Sequence, residues 1–381
     1  MKITDVKLTE TYYVPCQAQQ DAITTVPNVY PLAFCEISTD QGITGLVPAP
    51  SGDLAKAIIE EGLKPYLIGE NPLHNERIWS RMYWGMLING RRGAVVNAIG
   101  VVDCAIWDLK GKITGQPVHR LLGGFQDTVN SYGSGINLNL SNSELVAQVR
   151  SFVEQGFRMV KIKIGHQDPE IDLERVRLVR EAIGPSVHLS LDVNNAWSVG
   201  TAIDLARRFE PFDIYWLEEP ILADEIANYA RLADRTSIPI AAGENHYTKW
   251  EFKELIEKGA VRIVQADVVR CGGLTEFVKI AAMADAYGLP VCPHHSILTD
   301  VPAIAALPNG LFHEYAEEMF EPVSKMVKDC ARPHLGMITP MDKPGFGIEL
   351  NPEAVERYRH KPAHQEFRRT TVRGWRWPPY L

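Results

Sequence analysis

Short apolar segments alternate with longer amphipathic segments along most of the chain, beginning near residue 129. Within the amphipathic segments, the spacing of apolar residues predicts helices that begin near 143, 168, 198, 223, 248, 273 and 297. The predicted strands are 129–136, 159–164, 187–192, 214–218, 238–243, 261–267, 290–294 and 311–315. Helical crossovers between parallel strands are right-handed, so eight such strands with seven crossovers predict a TIM-type (β/α)7β barrel.

The first part of the chain follows a different pattern. Residues 1–14 alternate as a strand does, and 32–39 with 43–48 indicate a hairpin around Asp40-Gln41-Gly42. Apolar residues at helical spacing then predict helices at about 53–67, 73–87 and 92–113. Strands followed by helices indicate an α+β unit.

Three parts follow from these patterns. The α+β unit is predicted to occupy residues 1–125 and the barrel residues 126–330. Residues 331–381 are rich in turn residues and end in an aromatic, basic tail at 374–380. We expect this last segment to return to the N-terminal unit.

Composition narrows the class of protein. The chain has 381 residues, 45% of them hydrophobic, and a net charge of -8 without a block of Lys or Arg, so nucleic acid is not an expected partner. The six cysteines are scattered and form no CxxC pair, which favours a reduced, cytoplasmic protein over a disulfide scaffold. Neither a signal peptide nor an apolar run of membrane-spanning length is found, so no membrane contact is expected.

Three carboxylates end three successive predicted strands at equal intervals. Asp192, Glu218 and Glu244 lie 26 positions apart from one to the next. Ends of parallel strands point to one face of a barrel, so these side chains are expected to converge. Converging carboxylates repel one another, and a hard cation that prefers oxygen ligands relieves the repulsion. The pattern predicts an Mg²⁺ site, which Mn²⁺ could also occupy.

Two lysines lie on the same side of the second barrel strand. Alternation along a strand places Lys161 and Lys163 together and turns Ile162 the other way. Neighbouring ammonium groups and burial both lower a lysine pKa, so we expect a lysine that acts as a general base. The alternative is a pair of surface lysines on an edge strand.

Asp267 and His294 end the sixth and seventh predicted strands. An Asp that accepts from one ring nitrogen fixes the tautomer of a histidine and raises the basicity of the other nitrogen. The pair is therefore a candidate second acid/base, although His294 could also be a structural histidine. Strand alternation favours His294 over His295, which is expected to face away.

Two further strand-end residues are candidates. Glu314 could donate to, or bridge to, a substrate carboxylate that gains charge during reaction, or it could be a surface residue. Asn194 shares the face of Asp192 and could bind metal-linked water or substrate. Glu219 follows Glu218 directly, and the two carboxylates should face opposite sides of the strand.

The ordered set of these residues resembles the enolase superfamily, mandelate racemase subgroup. It comprises Lys161-x-Lys163, Asp192, Glu218, Glu244, Asp267, His294 and Glu314, roughly one member per strand. The similarity covers nearly the whole chain, including the N-terminal unit and the segment 344–350. The muconate-lactonizing subgroup would be expected to carry a lysine at the sixth strand, and the enolase subgroup would lack Lys-x-Lys.

The resemblance implies roles for these residues. Asp192, Glu218 and Glu244 would bind Mg²⁺, which holds the carboxylate of a small-molecule substrate. Lys163 or His294 would remove the proton α to that carboxylate, a base-plus-Mg²⁺ chemistry that is known for this superfamily. Mg²⁺, Lys161 and Glu314 would stabilise the resulting enediolate. The resemblance also implies a homo-oligomer.

The family's N-terminal domain caps the barrel mouth with two loops, here at about 16–30 and 48–54. Gln20, Asp21 and Thr24 in the first loop offer hydrogen bonds to a polyhydroxylated substrate, unless they simply face water. This favours dehydration of an aldonate or aldarate to a 2-keto-3-deoxy acid. A racemase or epimerase of a 2-hydroxy acid, a sugar-lactone cycloisomerase and a non-catalytic metal-binding scaffold are the alternatives.

Overall fold

The N-terminal part of the chain is an antiparallel sheet covered by helices. The computed structural model describes residues 1–26, 28–295, 298–360 and 370–371. The strands of this part are β1 (Ile3–Leu8), β2 (Tyr12–Pro15), β3 (Gln19–Gln20), β4 (Thr24–Val26), β5 (Val29–Thr39) and β6 (Thr44–Pro50). Strand β5 pairs with β1, β2 and β6, which confirms the predicted hairpin. The predicted strand at 1–14 is two strands, interrupted at residues 9–11, where the Thr9 hydroxyl accepts from the Phe34 N–H.

Helices follow where the apolar spacing predicts them. They are α1 (Asp53–Lys56), a π-helical turn (Ala57–Leu63), α2 (Lys64–Leu67), α3 (Asn75–Gly85), α4 (Ala94–Thr114) and α5 (Val118–Leu121). Helix α4 is buried on most sides, because it packs both on the N-terminal sheet and on the barrel domain. It ends at Gly115, which adopts the left-handed conformation that favours glycine at this position.

Within the described residues, seven parallel strands and one single-residue bridge form the barrel. The strands are β7 (Val129–Ser134), β8 (Met159–Lys163), β9 (His188–Asp192), β10 (Ile214–Glu218), β11 (Ile240–Ala242), β12 (Ile263–Val264) and β13 (His313–Ala316). The predicted strand at 290–294 is reduced to Val291, which bridges Val264 on one side and Gly310 on the other. Pro290 and Pro293 lack the N–H groups that a longer ladder would need. The (β/α)7β barrel class is confirmed.

Helices cover the outside of the barrel. They are α6 (Asn142–Glu154), α7 (Pro169–Ile183), α8 (Val199–Phe209) with a 3₁₀ turn (Glu210–Phe212), α9 (Ile226–Ala233), α10 (Thr248–Glu257), α11 (Leu274–Ala286) and α12 (Asp300–Ala305). In the part of the chain that the structure describes, no helix is both long and apolar enough to cross a membrane.

The C-terminal segment contacts both the barrel and the N-terminal part. Helix α13 (Glu317–Met326) follows the last barrel strand, and the segment after it holds β14 (Met337–Ile338), α14 (Pro352–Tyr358) and β15 (Thr370–Thr371). Strand β14 adds antiparallel to β7, and β15 adds to β4. Gly345 exchanges backbone hydrogen bonds with Gln116 and Val118 beside α4. The predicted aromatic tail at 374–380 lies outside the described residues.

The strand register aligns the ends of three barrel strands. Lys163 of β8 pairs with Asp192 of β9, and Asp192 pairs with Glu218 of β10. Paired residues of neighbouring strands point to the same side of a sheet, here the barrel interior. Below them, Tyr132 and Trp216 pack as part of a buried interior layer. The register therefore collects the charged side chains at the carboxyl-terminal mouth of the barrel.

Candidate active site at the barrel mouth

Three buried carboxylates converge at the ends of β9, β10 and β11. Asp192, Glu218 and Glu244 each place a ligand oxygen so that these atoms lie within 4.8 Å of one another. Glu244 follows Gly243, which adopts φ 152°, and a Cβ at Gly243 would lie 2.5 Å from the Gln265 carbonyl carbon. Only glycine permits this close approach of β11 to the next strand, so Gly243 positions Glu244.

The donor set fits a divalent cation. Glu218 uses Oε2 to accept from Trp216 Nε1 at 2.9 Å and from Gln265 Nε2 at 2.7 Å. Asp192 uses Oδ1 to accept from the Asn194 N–H at 3.0 Å. Burial and the neighbouring Asp192 charge raise the pKa of Glu218 to about 8, so the bare cluster resists full ionisation. Buried, mutually repelling oxygen ligands suit Mg²⁺, which takes a few carboxylates and leaves positions for substrate and water.

The two lysines of β8 lie against these carboxylates. Lys161 Nζ donates to Glu218 Oε1 at 2.5 Å and to Glu314 Oε1 at 2.8 Å, and Lys163 Nζ donates to Asp192. The expectation of lowered lysine pKa values is wrong for this arrangement. Burial favours the neutral amines, but the surrounding carboxylates together outweigh it, so the pKa of each lysine is raised. Glu218 and Glu314 with Asp192 do so at Lys161, and Asp192 with Glu244 and Glu218 does so at Lys163.

Asp267 and His294 form the hydrogen-bonded pair that their positions predict. His294 Nδ1 lies 2.8 Å from Asp267 Oδ2, and Asp267 Oδ1 accepts from the backbone N–H groups of Val269 and Arg270 at 2.8 Å each. Burial opposes protonation of His294, but Glu244 and Asp267 raise its pKa above the usual value. The carboxylate thus orients the ring and makes the imidazole more basic.

The expectation that His295 faces away from the site is wrong. His295 Nδ1 lies 3.2 Å from His294 Nε2, and both rings line the same cavity. The alternation argument fails because the chain beyond Val291 is no longer a strand. Burial and the neighbouring His294 lower the pKa of His295 to about 3, so its imidazole is neutral.

Glu314 on β13 is the last charged residue of the site. Its Oε1 accepts from Ser134 Oγ at 2.8 Å, in addition to Lys161, and its Oε2 accepts from the His295 N–H at 3.2 Å. Burial alone would raise the pKa of Glu314, but Lys161, with further contributions from the two histidines and Lys163, holds it well below the usual range. Glu314 is therefore a buried carboxylate and not a surface residue.

Strained backbone surrounds the carboxylate cluster. Asn194, Asn195 and Glu219 have φ values of 46°, 62° and 40°, in the left-handed region. Such strain is often kept at functional sites. Asn194 is buried, and its Oδ1 has no hydrogen-bond partner in the described structure. Glu219 turns away from Glu218 and accepts from Asn195 Nδ2 at 2.6 Å and Asn245 Nδ2 at 2.7 Å.

The first capping loop reaches the barrel mouth, but its polar side chains partly satisfy one another. Asp21 accepts from the N–H groups of Ile23 and Thr24 at 2.8 and 2.7 Å, and from Thr24 Oγ1 at 2.7 Å. The Gln20 carbonyl accepts from the Leu138 N–H, which ties the loop to the end of β7. Substrate binding by Gln20, Asp21 and Thr24 stays a prediction.

A cavity of about 310 Å³ opens beside the histidines. Tyr30, Leu32, Pro48 and Pro50 of the N-terminal part line one wall, and Arg270 lies with the histidines on the barrel side. The wall that the N-terminal part contributes is therefore largely apolar, whereas the first loop suggested a polar one.

Several side chains that contact the charged residues of the site were not predicted from the sequence. Gln265 lies two residues before Asp267, and strand alternation could have indicated it. Ser134 ends β7 and could have been found in the same way. Arg270 Nη1 lies 3.4 Å from Glu244 Oε1. This contact could not be predicted, because Arg270 lies beyond the predicted strand, where no periodic pattern gives the direction of a side chain.

Comparisons with known proteins agree on one family. Residues 4–123 match the N-terminal domain of mandelate racemase and muconate lactonizing enzyme, and residues 144–354 match the enolase C-terminal domain-like family.

Named relatives extend over nearly the whole chain. An arabinonate dehydratase of Saccharolobus solfataricus is 32% identical over 94% of this chain and 100% of its own length. A 3,6-anhydro-α-L-galactonate cycloisomerase of Streptomyces coelicolor is 32% identical over 86% of this chain and 91% of its own. The crystal structure of an L-talarate dehydratase of Polaromonas sp. JS666, complexed with Mg and L-glucarate, superposes with a TM-score of 0.81. That protein is 30% identical, and the match covers 98% of this chain and 99% of the other.

Proposed function

Because the chain belongs to the enolase superfamily, mandelate racemase subgroup, we propose that it is an Mg²⁺-dependent acid-sugar dehydratase. The single observation that carries this proposal is the mouth geometry, in which a buried carboxylate cluster lies between a lysine pair and a histidine–aspartate pair. The substrate would be an aldonate or aldarate, and the product a 2-keto-3-deoxy acid.

We assign substrate binding to the carboxylate cluster. Asp192, Glu218 and Glu244 would hold Mg²⁺, which supplies fixed positive charge for the substrate carboxylate. As a metal ligand, Asp192 would share its charge with the cation, and its hold on the Lys163 ammonium would weaken. This is how a lysine with a raised pKa would reach the neutral form that a general base needs.

Proton removal is assigned to one of two groups on opposite sides of the mouth. Lys163 Nζ or His294 Nε2 would take the proton from C2, and the configuration at C2 would decide which one acts. Lys161 and Glu314 would stabilise the enediolate, since an ammonium and a carboxylic acid placed at the substrate oxygens counter the charge that develops there. Glu314 would serve as a donor only after taking a proton.

The second half of the reaction expels the β-hydroxyl. The electron pair of the enediolate would form the C2–C3 double bond as the C3–O bond breaks, and the opposite acid/base group would protonate the departing oxygen to give water. The enol that remains would become the 2-keto-3-deoxy acid by taking a proton at C3 and giving up the proton of its C2 hydroxyl to solvent. Two acid/base groups on opposite sides suffice for this sequence.

Cycloisomerisation is the second candidate, since a relative of equal identity is named a cycloisomerase. The largely apolar wall beside the histidines also favours a substrate with fewer hydroxyls at its far end. A racemase or epimerase would use the same two bases. We further propose the divisions 1–125, 126–330 and 331–381 for the capping domain, the barrel and the returning segment.

The test is a screen of the purified protein with Mg²⁺ against mono- and diacid sugars, with keto-acid release read as semicarbazone absorbance. We expect a hit that EDTA abolishes and that Lys163→Ala or His294→Asn lowers by at least about 100-fold. Lys253→Ala, which removes an exposed lysine on α10, is the matched control and should keep full activity.

Two results would contradict the proposal. Keto-acid release that survives both base substitutions would remove the assigned bases. A substrate that exchanges its C2 proton in D2O, as NMR detects, but yields an epimer or an open-chain isomer would replace dehydration by epimerisation or cycloisomerisation.

A further inference from the structure

We infer that His294, His295 and Glu314 form a second metal site, selective for a borderline transition metal such as Zn²⁺, beside the three-carboxylate site. Its ligand atoms all lie within 4.8 Å of one another. Two imidazoles and one carboxylate are a ligand set found in zinc sites that keep an open position. The three-carboxylate site, by contrast, offers only oxygen.

The geometry of the two rings suits one shared ion. His294 Nε2 and His295 Nδ1 lie 3.2 Å apart. Two nitrogens that bind one tetrahedral Zn²⁺ at about 2.0–2.1 Å are separated by roughly 3.3 Å, so the spacing of the two nitrogens already suits a shared ion. Binding replaces the hydrogen bond between the rings, and each ring turns its lone pair toward the ion.

The groups around these ligands are arranged as a metal site requires. His294 Nδ1 is hydrogen-bonded to Asp267 Oδ2 at 2.8 Å, so Nε2 is the nitrogen left for a metal. A carboxylate behind a ligating histidine fixes its tautomer and strengthens it as a ligand. On Glu314, Oε1 is held by Lys161 and Ser134, and among the described residues Oε2 carries only the 3.2 Å contact from the His295 N–H.

Ligand chemistry separates the two metal positions. Imidazole binds Zn²⁺, Cu²⁺ and Ni²⁺ well, whereas carboxylate oxygen suits Mg²⁺ and Mn²⁺. Glu244 Oε2 lies 3.3 Å from His294 Nε2, so the two positions are neighbours. Mg²⁺ in the carboxylate site and Zn²⁺ on the histidines would then be bound at the same time.

The consequence is inhibition, which rests on the proposed function. A metal on His294 Nε2 occupies the lone pair that would accept the substrate proton. Zn²⁺ should therefore inhibit even when Mg²⁺ is saturating, and added Mg²⁺ should not reverse the inhibition.

Binding is tested with Co²⁺, whose visible absorption reports its coordination, on the full chain in excess Mg²⁺. We expect one Co²⁺ per chain with the strong bands of a four- or five-coordinate ion, displaced by Zn²⁺ and lost in His295→Gln. His188→Gln removes a histidine from the amino-terminal end of β9, the opposite end of the barrel, and should leave the spectrum unchanged. Circular dichroism confirms that each variant is folded.

The activity readout is separate. The Zn²⁺ concentration that halves the Mg²⁺-dependent rate should rise by at least about ten-fold in His295→Gln, with each protein compared with its own rate without Zn²⁺. Crystals grown with Mg²⁺ and Zn²⁺ should show zinc anomalous density between the two rings and Glu314.

A weak octahedral Co²⁺ spectrum that excess Mg²⁺ abolishes would place the metal on the carboxylates and overturn the inference. So would zinc density at Asp192 or a Co²⁺ spectrum that His295→Gln leaves intact. None of these binding outcomes depends on turnover, so they leave the proposed dehydration standing.

Discussion

Buried charge is the main feature of the site at the scale of single residues. Taking an ion out of water costs several kcal/mol unless partners compensate. Lys161 shows the compensation, since its fully buried ammonium contacts Glu218 and Glu314 directly. The carboxylates outnumber the cations around it, however. A divalent cation is therefore the partner that the cluster as a whole needs.

A substitution of Asp267 tests whether the His294 tautomer matters for the reaction. In Asp267→Asn the side-chain oxygen still accepts from Val269 and Arg270, and the amide NH₂ faces His294 Nδ1. An NH₂ donor there requires a lone pair on Nδ1 and moves the hydrogen to Nε2, which can then no longer act as base. We expect turnover to fall by about 100-fold or more without loss of folding, as steady-state kinetics and thermal melts measure.

Asp285→Asn, an exposed change on α11, is the matched control and should keep the wild-type rate. If Asp267→Asn also keeps the wild-type rate, the His294 tautomer does not limit the reaction.

Many residues of the site could be predicted from the sequence because they end predicted barrel strands. Asp192 and Glu218 are the last residues of their strands, and in a parallel barrel strand ends share one face. The side-chain direction of His295 could not be predicted, because His295 lies beyond the end of the strand, where alternation no longer applies. The lysine pKa values could not be foreseen either, since they depend on how closely Asp192 and Glu218 approach.

At the scale of elements, side-chain caps mark the starts of three barrel helices, while α10 and α11 begin within a residue of the predicted 248 and 273 without such a cap. Helices α6, α7 and α8 begin within a residue or so of the predicted starts, because Ser141, Asp168 and Ser198 accept from backbone N–H groups of the first turn. Helix α9 begins at Ile226, later than the predicted 223, and Glu225 before it makes no side-chain cap. The seventh predicted strand is reduced to the bridge at Val291 because Pro290 and Pro293 lack backbone N–H groups. The apolar pattern of the sequence does not show this effect.

Asp103 joins two elements, α4 of the N-terminal part and α11 of the barrel. It accepts from Thr275 N–H at 2.8 Å and from Thr275 Oγ1 at 2.6 Å. Burial raises its pKa from 3.8 to about 7. The folded state thus holds this proton more tightly than the unfolded chain does, so the group favours folding most at low pH and loses that contribution as pH rises toward 7.

Asp103→Asn removes this titration and serves as the reference. We expect the melting temperature of the wild type minus that of Asp103→Asn to fall between about pH 4 and 7 and to level off above, as calorimetry measures. Asp285→Asn should show no such trend relative to wild type. A difference that stays constant or grows with pH would mean that Asp103 is already ionised in the folded protein.

At the scale of the whole molecule, the N-terminal part is fastened to the barrel next to the site. Trp79 Nε1 donates to the Gly272 carbonyl at 2.7 Å, and Trp107 Nε1 donates to Thr275 Oγ1 at 2.9 Å. Gly100 of α4 approaches so closely that a Cβ there would lie 1.8 Å from the Val269 carbonyl oxygen. These contacts hold the segment that follows Asp267, so the docking of the two parts also positions the acid/base pair.

The stability of the whole chain should therefore depend on Mg²⁺. The cluster of Asp192, Glu218 and Glu244 is self-repelling when bare, and a ligand that binds only the folded state stabilises it by about 2.7 kcal/mol at 100 times its Kd. We expect EDTA to lower the Tm by a few degrees and Mg²⁺ to restore it, as calorimetry measures. Asp192→Asn should lose most of this response, whereas Asp234→Asn, beyond α9, should keep it. If both variants respond as the wild type does, the cation stabilises the protein elsewhere and the three carboxylates are not its ligands.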